Sequence, residues 1–360
     1  MKATLTTLLA LAMLSGTAFA GIYTPTVVEG TTHIEAPGYF GVYSESESAE
    51  HASVTIREAA SETKDTDYYI WGGYTEGDES NANYNTVTMT GGQVHDIIVG
   101  DSSWGYGEAS YNTLVVTGGI ADNVVYVGEA GGTSIGNVAI VTGGSLNSLA
   151  VGIAYGEGYT ANNNKLHLVG EGAEAEIEDA QGNAAKYTGG SISLGDVAVA
   201  EYDWGATAEN NSIDIYGTGI EATGLSGFEQ LNFHMVDGLT TSDTPMVSVT
   251  GELDLSELTA PINLYGDAVT DWSAFEGKEI TLASAADGII RPDFMTTEEE
   301  KYSILDASGA TVAIATLRVV GYEMCPQSIV MSNIQGVPEP TTGTLSLLAL
   351  AGLCIRRRKH

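Results

Sequence analysis

Five asparagines, Asn85, Asn112, Asn137, Asn164 and Asn211, recur at spacings of 27, 25, 27 and 47 residues, and each opens the same short pattern. After each Asn comes a strand-like run that ends at a glycine: Thr86 to Thr90, Thr113 to Thr117, Val138 to Thr142, Lys165 to Val169 and Ser212 to Tyr216. Two positions after the Asn stand Val87, Leu114, Ala139, Leu166 and Ile213; four positions after it stand Met89, Val116, Val141, Leu168 and Ile215. The columns between them are mixed. This is period two with one buried face, the signature of β-strands.

A second strand is expected about eight residues on, with inward columns Ile97, Val125, Leu149, Val197 and Val99, Val127, Val151, Val199. Gly100, Gly128, Gly152 and Ala200 are expected to close it, and a variable loop then leads to the next Asn. The long spacing fits one coil carrying about 20 extra residues, Glu171 to Thr188. A repeat of two strands with Gly-Gly corners and no helical periodicity predicts an all-β chain, a right-handed parallel β-helix or β-solenoid. Glycine serves corners that need positive φ, and Asn tolerates the left-handed region while its amide can bond the same group one coil along. The asparagine column is therefore read as a structural ladder.

The expected organisation is a signal peptide over residues 1–20, an N-terminal β-rich cap over 21–66, β-helix repeats over 67–221, degraded coils or a β cap over 222–336, and a terminal tail over 337–360. Thr297 and Glu300, at capping-box spacing, hint at one helical turn over Thr297 to Lys301. The segments Phe228 to Phe233 and Val249 to Leu255 look like the ends of autotransporter-type passenger domains, but no alternating strands for a membrane barrel follow residue 256.

Lys2, the apolar run Leu5 to Leu14 and Ala18-Phe19-Ala20 have the layout of a secretory signal cut between Ala20 and Gly21. At the other end, Pro338-Glu339-Pro340 precedes an apolar run from Thr344 to Ile355 and the cations Arg356, Arg357, Arg358 and Lys359. A helix there rises only about 20 Å, short of the ~30 Å of bilayer hydrocarbon, so the expected short transmembrane helix suits transient rather than permanent residence in the inner membrane. The cations hold its end in the cytoplasm and place the preceding body outside. This tail resembles the PEP-CTERM sorting domain of exported Gram-negative proteins. The resemblance implies recognition of Pro338, Glu339 and Pro340 by an exosortase-type membrane peptidase, and a cell-envelope, cell-surface or extracellular-matrix location.

Between the two ends lie eight Lys or Arg against 46 acids, a net charge near −38. Such a field repels phosphate backbones and anionic lipid, so no nucleic-acid partner is expected for the body. Cys325 is the one thiol outside the tail, so no internal disulfide is expected. Hydrophobic content of 43% and 18 Tyr argue against disorder despite the charge.

Catalytic patterns are weak. Lys165 and Lys186 are the only cations among residues 67 to 221, few for a lyase base, and acidic pairs suited to a hydrolase occur everywhere in so acidic a chain. His33, His51, His95, His167, His234 and His360 never fall at metal-ligand spacing and are expected as isolated surface residues. No catalytic residue, cofactor or metal is expected. The best binding candidates are aromatics read as lying in loops between coils, Trp104 and Tyr106, Tyr155 and Tyr159, Tyr202 and Trp204, which could form a stripe for sugar faces. The expectation is a surface structural or adhesin-like protein that binds extracellular glycans; the alternative is a secreted polysaccharide-degrading β-helix enzyme.

Overall fold

The structure, a computed structural model, describes residues 26–28, 39–44, 47–57, 69–103, 105–203, 205–239, 244–292, 295, 299–321 and 326–337. The chain is all-β, with one large, mostly parallel 24-stranded sheet that does not close into a barrel, an arrangement compatible with a β-solenoid. Among the described residues the only helical piece is the 3-10 turn Trp272–Phe275. The turn hinted at over Thr297 to Lys301 is not formed: Glu300 opens the strand Glu300–Leu305, and Thr297 lies outside the described residues.

The asparagine alignment is the stacking register. Thr86 pairs with Thr113, Thr113 with Val138, Val138 with Lys165 and Lys165 with Ser212, all in parallel. All ten residues of the two inward columns are buried, the most exposed being Ile215 at 1%. Parallel strands cannot be joined by a tight turn, so the chain makes a full circuit between equivalent strands.

The other side of each circuit differs from expectation in two ways. The strands Asp96–Ser102, Ile120–Ala130, Gly144–Tyr155 and Ile192–Asp203 run past Gly100, Gly128, Gly152 and Ala200 instead of stopping there. Those glycines are not corners. A Cβ on Gly100, Gly128 or Gly152 would run into the side-chain amide of Asn112, Asn137 or Asn164, so the missing side chain makes room for the ladder. Positive φ falls on the Gly-Gly pairs instead, as at Gly119 (100°) and Gly144 (97°). In addition, the stretch read as a variable loop forms a third strip. Ala82 N–H bonds Glu108 O, Ala109 N–H bonds Thr133 O, and Ser134–Ile135, Thr160–Asn162 and Thr207–Glu209 pair in parallel.

The ladder closes the core. Asn85, Asn112, Asn137, Asn164 and Asn211 are each 0% exposed. The backbone N–H of Asn85 donates to Asn112 Oδ1 at 2.9 Å, and the same bond repeats from Asn112 to Asn137, Asn137 to Asn164 and Asn164 to Asn211. The residue in the left-handed region is the one before each Asn, namely Tyr84, Tyr111, Gly136, Asn163 and Asn210. Asn211 ends the series by donating its N–H to Glu229 Oε2 at 2.6 Å, in a carboxyl site that burial pushes up.

The inserted segment forms an antiparallel hairpin, Glu174–Glu178 with Ala184–Thr188. It folds back over the outer face, where Ala180 N–H bonds Thr113 Oγ1 and Gln181 Nε2 bonds Tyr111 O. Ala175 and Ile177 of the hairpin join the same apolar cluster as Val115, Val138 and Ile140, which explains why Ile140, on an outward column, is 0% exposed.

Beyond Asn211, Gln230–Val236, Val247–Val249, Glu252–Asp254, Asn263–Ala268, Ile280–Ala285 and Gly288–Ile290 continue the parallel pairings. Antiparallel strands then end the stack: Thr311–Val320 lies between Glu300–Leu305 and Gln327–Gly336, and the last also pairs with Ile280–Ala285. Reversing direction removes the open parallel edge on which further chains could add.

Candidate functional site

Register places the residue after each ladder-accommodating glycine on one line: Tyr74, Asp101, Glu129, Ile153 and, after Ala200, Glu201. A neighbouring line carries Trp71, Ile98, Tyr126 and Ala150. The first line lies just beyond the glycines and the second two residues before them, and Ile98, Asp101, Ala150 and Ile153 are buried there.

Trp71 Nε1 donates to Asp101 Oδ2 at 3.2 Å, while Asp101 Oδ1 accepts from Ser103 N–H at 2.9 Å and Ser103 Oγ at 2.7 Å. The Trp71 and Tyr74 rings lie 5.5 Å apart, and Tyr43 stacks on Tyr74 at 5.5 Å. Burial raises the Asp101, Glu129 and Glu201 carboxyls; Glu129, with the charges of Asp101 and Glu201 added, is pushed up to about 8. The three hydrogen bonds that Asp101 accepts oppose its rise without cancelling it, whereas burial and the neighbouring carboxyls all act upward on Glu129, which keeps its proton at neutral pH. Burial, then Glu129, also raises the Tyr155 phenol, and burial and Glu129 do the same to Tyr126. The result is two carboxyl groups, with Glu129 holding its proton, and neutral phenols beside apolar rings, a set that can donate to and accept from hydroxyl groups while covering a C–H face.

The pH consequence has a definite sign. The Glu129 contribution to stability is fully present below its ordinary 4.5 and is lost as pH rises toward 8, at no more than about 1.4 kcal/mol per pH unit.

The aromatics singled out from sequence are divided among three places instead of forming one stripe. Tyr155 ends the strand Gly144–Tyr155 and belongs to the carboxyl cluster, and Tyr202 lies within Ile192–Asp203, so neither is a loop residue. Tyr202 OH donates to Glu257 Oε1 at 2.8 Å, a bond that pushes the phenol up to about 12. Tyr106, 69% exposed, faces Tyr159 at 6.4 Å, and Tyr159 packs on Ala154, Ala161, Ala200 and Ala206. Trp104 and Trp204 lie outside the described residues, as do Ala20 and Gly21 of the cleavage site, Pro338, Glu339 and Pro340 of the sorting motif, and Arg356, Arg357 and Arg358. No described helix is long and apolar enough to cross a membrane.

The described histidines are not isolated. His51 stacks on Tyr84 at 5.0 Å, His95 Nδ1 lies 2.7 Å from Asp122 Oδ1, and His167 and His234 gather around Asp214; His33 and His360 lie outside the described residues. Among the described residues no group of three or more His, Cys, Asp or Glu is arranged to hold a metal ion. Comparison with protein-family models, with curated proteins and with solved structures gives no match.

Proposed function

We propose that the chain is an exported, adhesin-like structural protein of a Gram-negative cell envelope, built as a right-handed parallel β-helix, that binds extracellular glycan on the surface that carries Trp71, Asp101, Tyr126, Glu129 and Tyr155. The right-handed sense follows from the strong preference of parallel crossovers. The observation that carries the binding reading is the juxtaposition of Trp71, hydrogen-bonded to Asp101, with a protonated Glu129 one coil on. Hydroxyl-rich, uncharged or cationic sugars suit this surface, because the field of the body repels polyanions.

Export and sorting rest on the two termini: a cleavable signal ending at Ala20, and a Pro338-Glu339-Pro340 tail read by an exosortase-type peptidase, with only transient residence in the inner membrane. Replacing Pro338, Glu339 and Pro340 by Ala leaves a full-length form in the inner membrane while the wild type reaches the surface or medium. Equal maturation and equal placement of the two on cell fractionation would end the sorting reading.

A second reading is favoured by one observation. A carboxylic acid held protonated to about 8 beside a second carboxyl group is a starting point for glycoside hydrolysis, Glu129 giving its proton to the leaving oxygen and Asp101, once ionised, serving as the second carboxylate. Release of sugar products by the purified protein would favour it over binding alone.

A further inference from the structure

We propose that His167, Asp214 and His234 form an acid-sensitive joint between the ladder-bearing coils and the C-terminal coils, closed at neutral pH and loosened by acidification. The three sit on successive parallel strands, Lys165–Val169, Ser212–Tyr216 and Gln230–Val236. His234 Nε2–H donates to Asp214 Oδ1 at 2.8 Å, and His167 Nδ1 faces Asp214 Oδ2 at 3.8 Å. Tyr216 lies over His234 at 3.9 Å and Tyr265 over its other side at 4.8 Å, so the rings stack across the strands that follow. Asn263 Nδ2 donates to Asn232 Oδ1 on the same outer face.

The position of the cluster matters. The asparagine ladder stops at Asn211, whose N–H is taken by Glu229, so past this point the inner amide chain no longer ties coil to coil. On the opposite side of the same strands the His–Asp–His group spans that junction. Its own strand brings Lys165; the next brings Asp214 and Tyr216; the two after bring His234, then Tyr265 and Asp267. The hairpin that follows Lys165–Val169 in the chain carries Glu174, Glu176, Glu178 and Lys186, all exposed, with Asp179 and Tyr187 half-buried, and none of them is among the groups that shift His167 or Asp214.

Protonating His167 is costly. Its Nδ1 is buried without a hydrogen-bond partner, and 3.8 Å to Asp214 is too long for a charged hydrogen bond. Burial accordingly lowers its pKa, offset only in part by Asp214. Burial opposes ionisation of Asp214, but the hydrogen bond from His234 and the neighbouring imidazoles outweigh it and hold this carboxyl below its ordinary range. The carboxylate therefore stays charged while the imidazole is challenged. A depressed His contributes stability above its ordinary 6.5 and loses it as pH falls. This sign is opposite to that of Glu129, so acid firms the carboxyl cluster while it loosens the joint.

Hydrogen exchange read by mass spectrometry on the whole protein, at about pH 7.5 and about pH 5.5 with intrinsic rates corrected, separates the two; up to roughly tenfold loss of protection per pH unit below 6.5 is expected in Lys165–Val169, Ser212–Tyr216 and Gln230–Val236. Thr86–Met89 and Thr113–Val116 should keep theirs. In His167→Gln, which cannot take the proton, the acid-dependent loss disappears. Unchanged protection in the wild type, or the same loss in His167→Gln, overturns the proposal.

Discussion

Val127→Asp abolishes the cooperative thermal transition, while Tyr126→Ser, one residue away, leaves it in place. Val127 is 0% exposed and stacks between Val99 and Val151, both also 0% exposed, in the inward column of three successive coils. A carboxylate there meets only aliphatic neighbours, so it must either ionise without a partner or remain protonated and unbonded; either costs several kcal/mol. Because the whole fold is worth about 5–15 kcal/mol, one such insult removes much of it. Tyr126 points the other way and is only half-buried, so losing its ring forfeits some contact and no core. Circular dichroism melts of the two variants check the register; matching melts would place both residues on the same side.

Asn137→Leu should be nearly as damaging, although leucine is close to asparagine in size and better suited to an apolar interior. Asn137 Oδ1 accepts the Asn112 N–H, and its Nδ2 donates to Ala109 O and to Ser134 Oγ, each at 2.9 Å. The substitution strands the Asn112 N–H, leaves Ala109 O with only the 3.4 Å bond from Ser134 Oγ and takes a donor from that hydroxyl, all in a site that is 0% exposed, and a group orphaned there costs about 1–3 kcal/mol. The branched side chain must also fit against Gly128, which has no Cβ because the amide fills that space. The expected loss is about 3–6 kcal/mol, read as a fall in urea midpoint with little change in slope. Asn147→Ala, at an exposed position of the neighbouring strand, is the control and should move the midpoint little. Equal midpoints for Asn137→Leu and wild type would mean the ladder carries no net stability.

Period-two burial was legible because the inward columns after each Asn hold only apolar residues, and the same alignment predicts every Cα pairing from Thr86 to Ser212. What escaped was the meaning of Gly100, Gly128 and Gly152. A glycine in a repeat reads equally as a corner or as a gap left for a neighbour, and only the fold shows the Asn amide filling it. The carboxyl cluster was lost with that choice, since Asp101, Glu129 and Glu201 are simply the residues that follow. The signal was present as a column one past the glycine. Ile140 escaped for another reason: a column that faces outward is buried when a hairpin inserted later in the chain folds back, and no local pattern reports that contact. The pairing of His167 and His234 through Asp214 joins residues up to 67 positions apart, beyond the reach of ligand-spacing rules.

Glycan binding on the surface that carries Trp71, Asp101, Glu129 and Tyr155, as proposed, is tested by a glycan-array titration of the purified wild type against Trp71→Ala and Tyr155→Ala, with reducing ends assayed in parallel. The expected result is saturable binding to uncharged or cationic glycans without product release, weakened in each variant by about 2 kcal/mol, or roughly thirtyfold, with the β-sheet circular dichroism unchanged. Wild-type and variant proteins binding equally, or no glycan bound by any of them, would contradict it.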